Sequence, residues 1–113
     1  MIIKELSDIQ ELNVTVANST KTTVKWLITK EDGARYNATR HFKIQPGGQI
    51  GIHQHPEDHH IFVLQGHATF MDDKGNKKEV KPTDIIYIPP NEPHGIMNDG
   101  KEPFIFLCII PYL

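Results

Sequence analysis

The chain is poor in cysteine, in charge of one sign, in long apolar runs and in helical pattern. One cysteine among 113 residues excludes a disulfide within the chain and any structural Cys₄ or Cys₂His₂ zinc site. Twelve Lys and Arg against fourteen Asp and Glu leave a net charge of −2. A nucleic-acid-binding face normally brings a basic excess, so no nucleic acid is expected as a partner. The longest apolar run, Phe104 to Ile110, is about a third of the ~20 residues that a helix needs to cross a bilayer. The amino terminus, Met1-Ile2-Ile3-Lys4-Glu5, turns polar after two apolar residues and lacks the apolar stretch of a signal peptide. The expectation is a cytoplasmic chain with no membrane partner and a reduced Cys108. The sequons at Asn13, Asn18 and Asn37 are then read as chance. At this length one domain over residues 1–113 is expected, burying about two-thirds of its extended surface.

Glycine and proline, eight of each, cut the sequence into short runs rich in β-branched and aromatic residues. The runs are Thr22–Thr29, Ala38–Ile44, Gln49–Gln54, His60–Gln65, Ala68–Met71, Ile85–Ile88 and Phe104–Ile110. Short strands at this spacing predict an all-β sandwich or barrel. Asp73-Lys74-Gly75-Asn76 predicts a hairpin turn, because glycine and asparagine accept positive φ at little cost. Met1–Leu12 alone carries a weak helical pattern and predicts a short helical turn at most. Two runs are apolar on both faces. Ile61 and Val63 alternate with Phe62 and Leu64, and Ile85-Ile86-Tyr87-Ile88 does the same. A barrel strand wetted on its outside should alternate apolar and polar. With little helix to cover that outer face, a second copy of the chain is the expected cover, which makes a homodimer.

What the chain has in excess is histidine, seven in all, most of them close together. His53-Gln54-His55 puts two imidazoles at i and i+2, which on a strand share one face. Pro56-Glu57-Asp58 predicts a tight turn, and a hairpin is expected to bring His59 back beside the pair. Far along the chain, Pro89-Pro90-Asn91-Glu92-Pro93-His94 ends a proline-stiffened turn in a fourth imidazole, on a rigid element. Converging neutral imidazoles bind a divalent first-row metal. His41, His60 and His67 are expected to be strand or hairpin residues outside the cluster.

These residues resemble the two motifs of the cupin superfamily. Gly47, five residues, His53-Gln54-His55, three residues, His59, six residues and Gly66 follow the first motif, here residues 47–66. Thr83, five residues, Pro89-Pro90-Asn91, two residues, His94, three residues and Asn98 follow the spacing of the second, here residues 83–98. The resemblance implies a double-stranded β-helix, or jelly-roll, cupin barrel with a metal in its mouth. The chain departs from the pattern at three positions. Thr83 and Asn91 stand where the family has glycine. Asn91 tolerates a left-handed backbone, whereas Thr83 suggests a slightly different turn. His59 stands where the family usually has glutamate, with Glu57 and His60 as weaker rivals for that place. The chain is thereby similar to the four-histidine variant among small single-domain cupins. It implies one divalent transition metal (Mn, Fe, Ni, Cu or Zn) on His53, His55, His59 and His94.

Four neutral imidazoles leave a divalent site at about +2, which attracts anions and supplies no carboxylate base. Three functional readings follow. The first is a dioxygenase-type oxidoreductase acting on a small anionic substrate. The second is a Lewis-acid isomerase or lyase. The third is a non-catalytic module that binds a small ligand or the metal. Arg40, Phe106 and Cys108 are the candidate substrate-binding residues. Arg40 lies on a strand that leads toward the cluster, and the other two lie on a last strand that runs past the metal in similar cupins.

Overall fold

The computed structural model describes residues 1–113 and contains no α-helix. Nine strands form it: β1 (Leu12–Asn13), β2 (Thr20–Ile28), β3 (Asn37–His53), β4 (His59–Gln65), β5 (Ala68–Met71), β6 (Lys77–Val80), β7 (Ile85–Ile88), β8 (His94–Met97) and β9 (Phe104–Pro111). All pair antiparallel in one sheet with the order β6-β5-β8-β3-β9-β4-β7; β2 pairs with β3 and carries β1 outside it. This is the curled sheet of a jelly-roll barrel, as the motifs imply. Within Met1–Leu12 the helical pattern yields one 3₁₀ turn, Leu6–Asp8. No helix is long and apolar enough to cross a membrane.

Period-2 alternation sets which side chains enter the barrel. On β3, Ala38, Phe42 and Ile44 point inward, and on β9 so do Phe104, Phe106 and Cys108. Register pairs Phe42 with Phe106, and their rings stack at 5.0 Å and 8°. Phe104 extends the stack toward Phe70. Such offset contacts add to simple area burial. On β4, His59, Ile61 and Val63 are buried while His60, Phe62 and Leu64 face outward. The outer face also exposes Ile85 and Tyr87 of β7. The two-faced apolar strands thus leave an uncovered apolar patch.

Two strand expectations and one turn expectation change. Ala38–Ile44 and Gln49–Gln54 belong to one strand of 17 residues. Gly47, at φ +82°, lets β3 bend without ending, so the Pro-Gly-Gly step is a kink in a strand and not a break. Lys77–Val80 is a strand although three of its four residues are charged, because it is an edge strand with only Val80 buried. The Asp73–Asn76 turn that precedes it forms as expected. Asp72 Oδ1 accepts from the backbone N–H of Lys74 and Asn76, and Gly75 takes positive φ. Finally, Thr83 does not change the turn. It adopts φ +74°, the conformation that glycine would supply.

Asn98, the last residue of the second motif, is fully buried and joins the two motifs. Its backbone exchanges hydrogen bonds with Gly47 N–H and Gly48 O. Its side-chain amide donates to Ile44 O and Glu102 O, and its Oδ1 accepts from Gly100 N–H. Every polar atom of this buried side chain is satisfied, which is what its burial requires.

Candidate metal centre

Four imidazoles meet inside one end of the barrel. β3 delivers His53 as its last residue, and register places it opposite His94, the first residue of β8. His94 therefore opens a strand and does not sit on the proline turn itself. His55 lies beyond the end of β3, so strand parity does not explain its direction. His59 opens β4, which pairs with β7 and β9 and not with β3, so no hairpin returns it. The barrel closure brings it there instead. Ring centroids are 4.5 Å apart for His53–His94 and for His55–His59, and 5.2 Å for His59–His94. The metal-binding atoms of His53, His55 and His94 all lie within 4.8 Å of one another. His59 stands outside that mutual set, yet its Nε2 is 2.6 Å from His55 Nε2.

Three of the four outer nitrogens have hydrogen-bond partners. His53 Nδ1 donates to Gly51 O and His94 Nδ1 to Glu92 O, each at 2.8 Å. His59 Nδ1 lies 2.8 Å from Cys108 Sγ, which also accepts from Arg40 Nη2 at 3.1 Å. His55 Nδ1 faces Glu57 Oε2 at 3.2 Å, though without hydrogen-bond alignment. Carbonyl acceptors on Nδ1 fix the His53 and His94 rings with Nε2 bare, the tautomer that ligates a metal. Two bare nitrogens at 2.6 Å repel unless a cation or a shared proton lies between them. The converging imidazole nitrogens are a donor set that a divalent first-row ion would fit.

Burial disfavours the charged form of His59 and His94. It pushes His59 down to about 3, helped by the Arg40 cation and the neighbouring histidines. It also lowers His94, against the opposing pull of the Glu92 carbonyl. Burial raises the Cys108 thiol, and Arg40 partly offsets this. The sign for stability follows. An unfolded His59 takes up its proton near 6.5, while the folded one resists until about 3. The metal-free fold therefore loses stability as pH falls through that window and gains nothing above it. Urea denaturation of metal-free protein should show a lower midpoint at pH 4.5 than at pH 7.5. The difference should shrink in His59→Gln. Equal midpoints at both pH values would contradict the buried neutral imidazole.

A cavity of about 420 Å³ opens beside the histidines. Arg40, Phe106 and Cys108 all line it. Arg40 is half-buried, with its guanidinium over the rings of Phe42 and Trp26. His60 and His67 are exposed and outside the cluster, and His41 is half-buried. Sequence reasoning missed Trp26 and the Val14–Val16 segment, which also line the cavity. Trp26 pairs with Arg40 across β2 and β3, so only the strand register reveals it.

The cupin domain family matches residues 40–110. The "Oxalate-binding protein" of Thermotoga maritima is 33% identical over 88 residues, covering 74% of this chain and 70% of the relative. The solved polyketide cyclase RemF from Streptomyces resistomycificus superposes with a TM-score of 0.92 at 31% identity, over 98% of this chain and 79% of that one. A predicted oxalate decarboxylase from Thermotoga maritima superposes with a TM-score of 0.86 at 24% identity, over 99% of this chain and all of its own, and supports the fold alone. With both motifs placed on the barrel and the family match spanning more than half of the sequence, the chain belongs to the cupin family.

Proposed function

We propose that this cupin, one domain over residues 1–113, holds one divalent transition metal (Mn, Fe, Ni, Cu or Zn) through His53, His55, His59 and His94. We read it as a dioxygenase-type oxidoreductase acting on a small anionic substrate. The observation that carries the reading is the convergence of four imidazoles, with neighbouring ring centroids 4.5–5.4 Å apart and Nδ1 of His53 and His94 held by backbone carbonyls. When bound, the metal supplies a Lewis-acidic, redox-capable centre of about +2 charge. The chain's own residues do the rest. Arg40 adds a positive charge to the cavity wall, apolar side chains limit water, and Cys108 orients the His59 ring. No Asp or Glu lines the cavity, so an isomerase or lyase that needs a carboxylate base has none at hand.

The test uses protein purified without a histidine tag. About one metal ion per chain and anion-dependent O₂ uptake, absent after chelation, are the expected results across a panel of small carboxylates. Protein that binds no metal sinks the reading. Metal and anion binding with no O₂ uptake would instead support the non-catalytic binding module, which the oxalate-binding relative favours.

The exposed Phe62, Leu64, Ile85 and Tyr87 support a homodimer formed through the outer face of β4 and β7. Sedimentation should give twice the 12.9 kDa chain mass. Leu64→Glu with Ile85→Glu should give monomers with unchanged metal content. A wild-type monomer at micromolar concentration would refute the dimer.

A further inference from the structure

The cavity is too large and too apolar for a two-carbon dianion alone. Its volume is about 420 Å³. A six-atom anion such as oxalate fills roughly the space of three waters, ~90 Å³ at about 30 Å³ each. Cavities of this size normally enclose most of a ligand with a substantial body. The walls are specific as well. Twelve of the nineteen lining residues are apolar, and Trp26, Phe42 and Phe106 bring aromatic rings. Apart from the histidines, the one cationic side chain is Arg40.

Arg40 is the unusual member. Its guanidinium lies 4.8 Å from the Phe42 ring centre and 5.3 Å from that of Trp26. It donates to Cys108 Sγ, and no carboxylate lies within ion-pair distance of it. A half-buried cation without a counter-charge is costly in apolar surroundings, and an anionic ligand offsets that cost. Packing against two rings holds the cation in place and marks one side of the cavity as both aromatic and positive.

We propose that the ligand is an aromatic oxyanion: a carboxylate or phenolate carried on one or two fused rings. Its charged oxygen lies toward the histidine cluster and the Arg40 side, and its rings pack on Trp26, Phe42 and Phe106. The proposal deepens the anionic-substrate reading above and rests on it for the metal alone. The walls and Arg40 select the aromatic body whether or not the ion is present.

Trp26 is the sole tryptophan, so its fluorescence reports from the cavity itself. The probes are 1-naphthoate, neutral 1-naphthalenemethanol and oxalate, titrated into the full chain by fluorescence and calorimetry. Naphthoate should bind about tenfold or more tighter than either of the others and should change Trp26 emission. Compared with wild type at matched metal content, Arg40→Gln should weaken naphthoate about tenfold, and Arg40→Lys should recover most of the loss. Trp26→Leu, read by calorimetry, should weaken naphthoate more than oxalate. Oxalate binding as tightly as naphthoate overturns the proposal, as does naphthoate binding that ignores Arg40→Gln. Metal content is measured on the same samples. A metal-free chain that prefers naphthoate removes the metal reading and keeps this one. A metal-loaded chain that prefers oxalate removes this one alone.

Discussion

Alanine at His53, His55, His59 or His94 should each weaken metal binding about a hundredfold or more, while His60→Ala and His67→Ala leave it unchanged. Loss of a partner that only orients a ligand typically costs 10–100-fold, so loss of the ligand itself sets the upper end of that scale. His59 is the decisive member, because it stands outside the mutual 4.8 Å set of the other three. Its Nε2 nevertheless lies 2.6 Å from His55 Nε2, and its Nδ1 is turned to Cys108 Sγ. Glu57 sits on the outer side of His55, at 3.2 Å from Nδ1. Glu57→Ala should therefore cost no more than about tenfold, by removing the carboxylate charge beside the His55 ring. Chelator competition and metal analysis on purified variants check the order. Full metal retention in His59→Ala with loss in Glu57→Ala would make the carboxylate the fourth ligand. It would also lower the charge of the site by one.

The resemblance of two motifs to those of the cupin family was enough to expect the barrel and to name the four imidazoles that meet in it. The routes were less legible than the destination. His55 and His59 converge through closure of the barrel, and parity and a hairpin, which are local rules, do not describe that step. Lys77–Val80 hid because an edge strand that buries only Val80 needs no apolar alternation. Strand β8 hid because His94-Gly95-Ile96-Met97 is four residues long and follows a proline turn. Trp26 hid because its place depends on a pairing with Arg40 between strands separated by a loop. The outer apolar face was legible from β4 and β7 themselves, because period 2 exposes one set of side chains whenever it buries the other.

Gly66→Ala should destabilise the fold by about 3 kcal/mol or more, and Thr83→Gly should stabilise it by about 0.5–1 kcal/mol. The two positions begin from the same backbone state, at φ +80° and +74°. At Gly66 an added Cβ would stand 2.3 Å from Pro103 O and 3.1 Å from Phe104 Cα. Both neighbours are backbone, so no side chain can turn aside, and the start of β9 must shift. That shift disturbs Phe104 and Phe106, which hold the central ring stack. The left-handed conformation adds about 1–2 kcal/mol for any residue with a Cβ. Thr83 already bears that cost, and its branched side chain is exposed. Its backbone N–H donates to Val63 O at 2.9 Å, a bond that glycine keeps. Glycine returns part of the gain through a more flexible unfolded chain, which leaves the smaller net figure. Asn91, at φ +62°, should respond less to glycine, because asparagine accepts this region more readily. Urea midpoints measured on the metal-free proteins separate the three. A Gly66→Ala midpoint equal to wild type would mean that the β4–β9 junction is looser than the Pro103 contact implies. An unchanged or lower midpoint in Thr83→Gly would mean that the threonine side chain makes a compensating contact in solution.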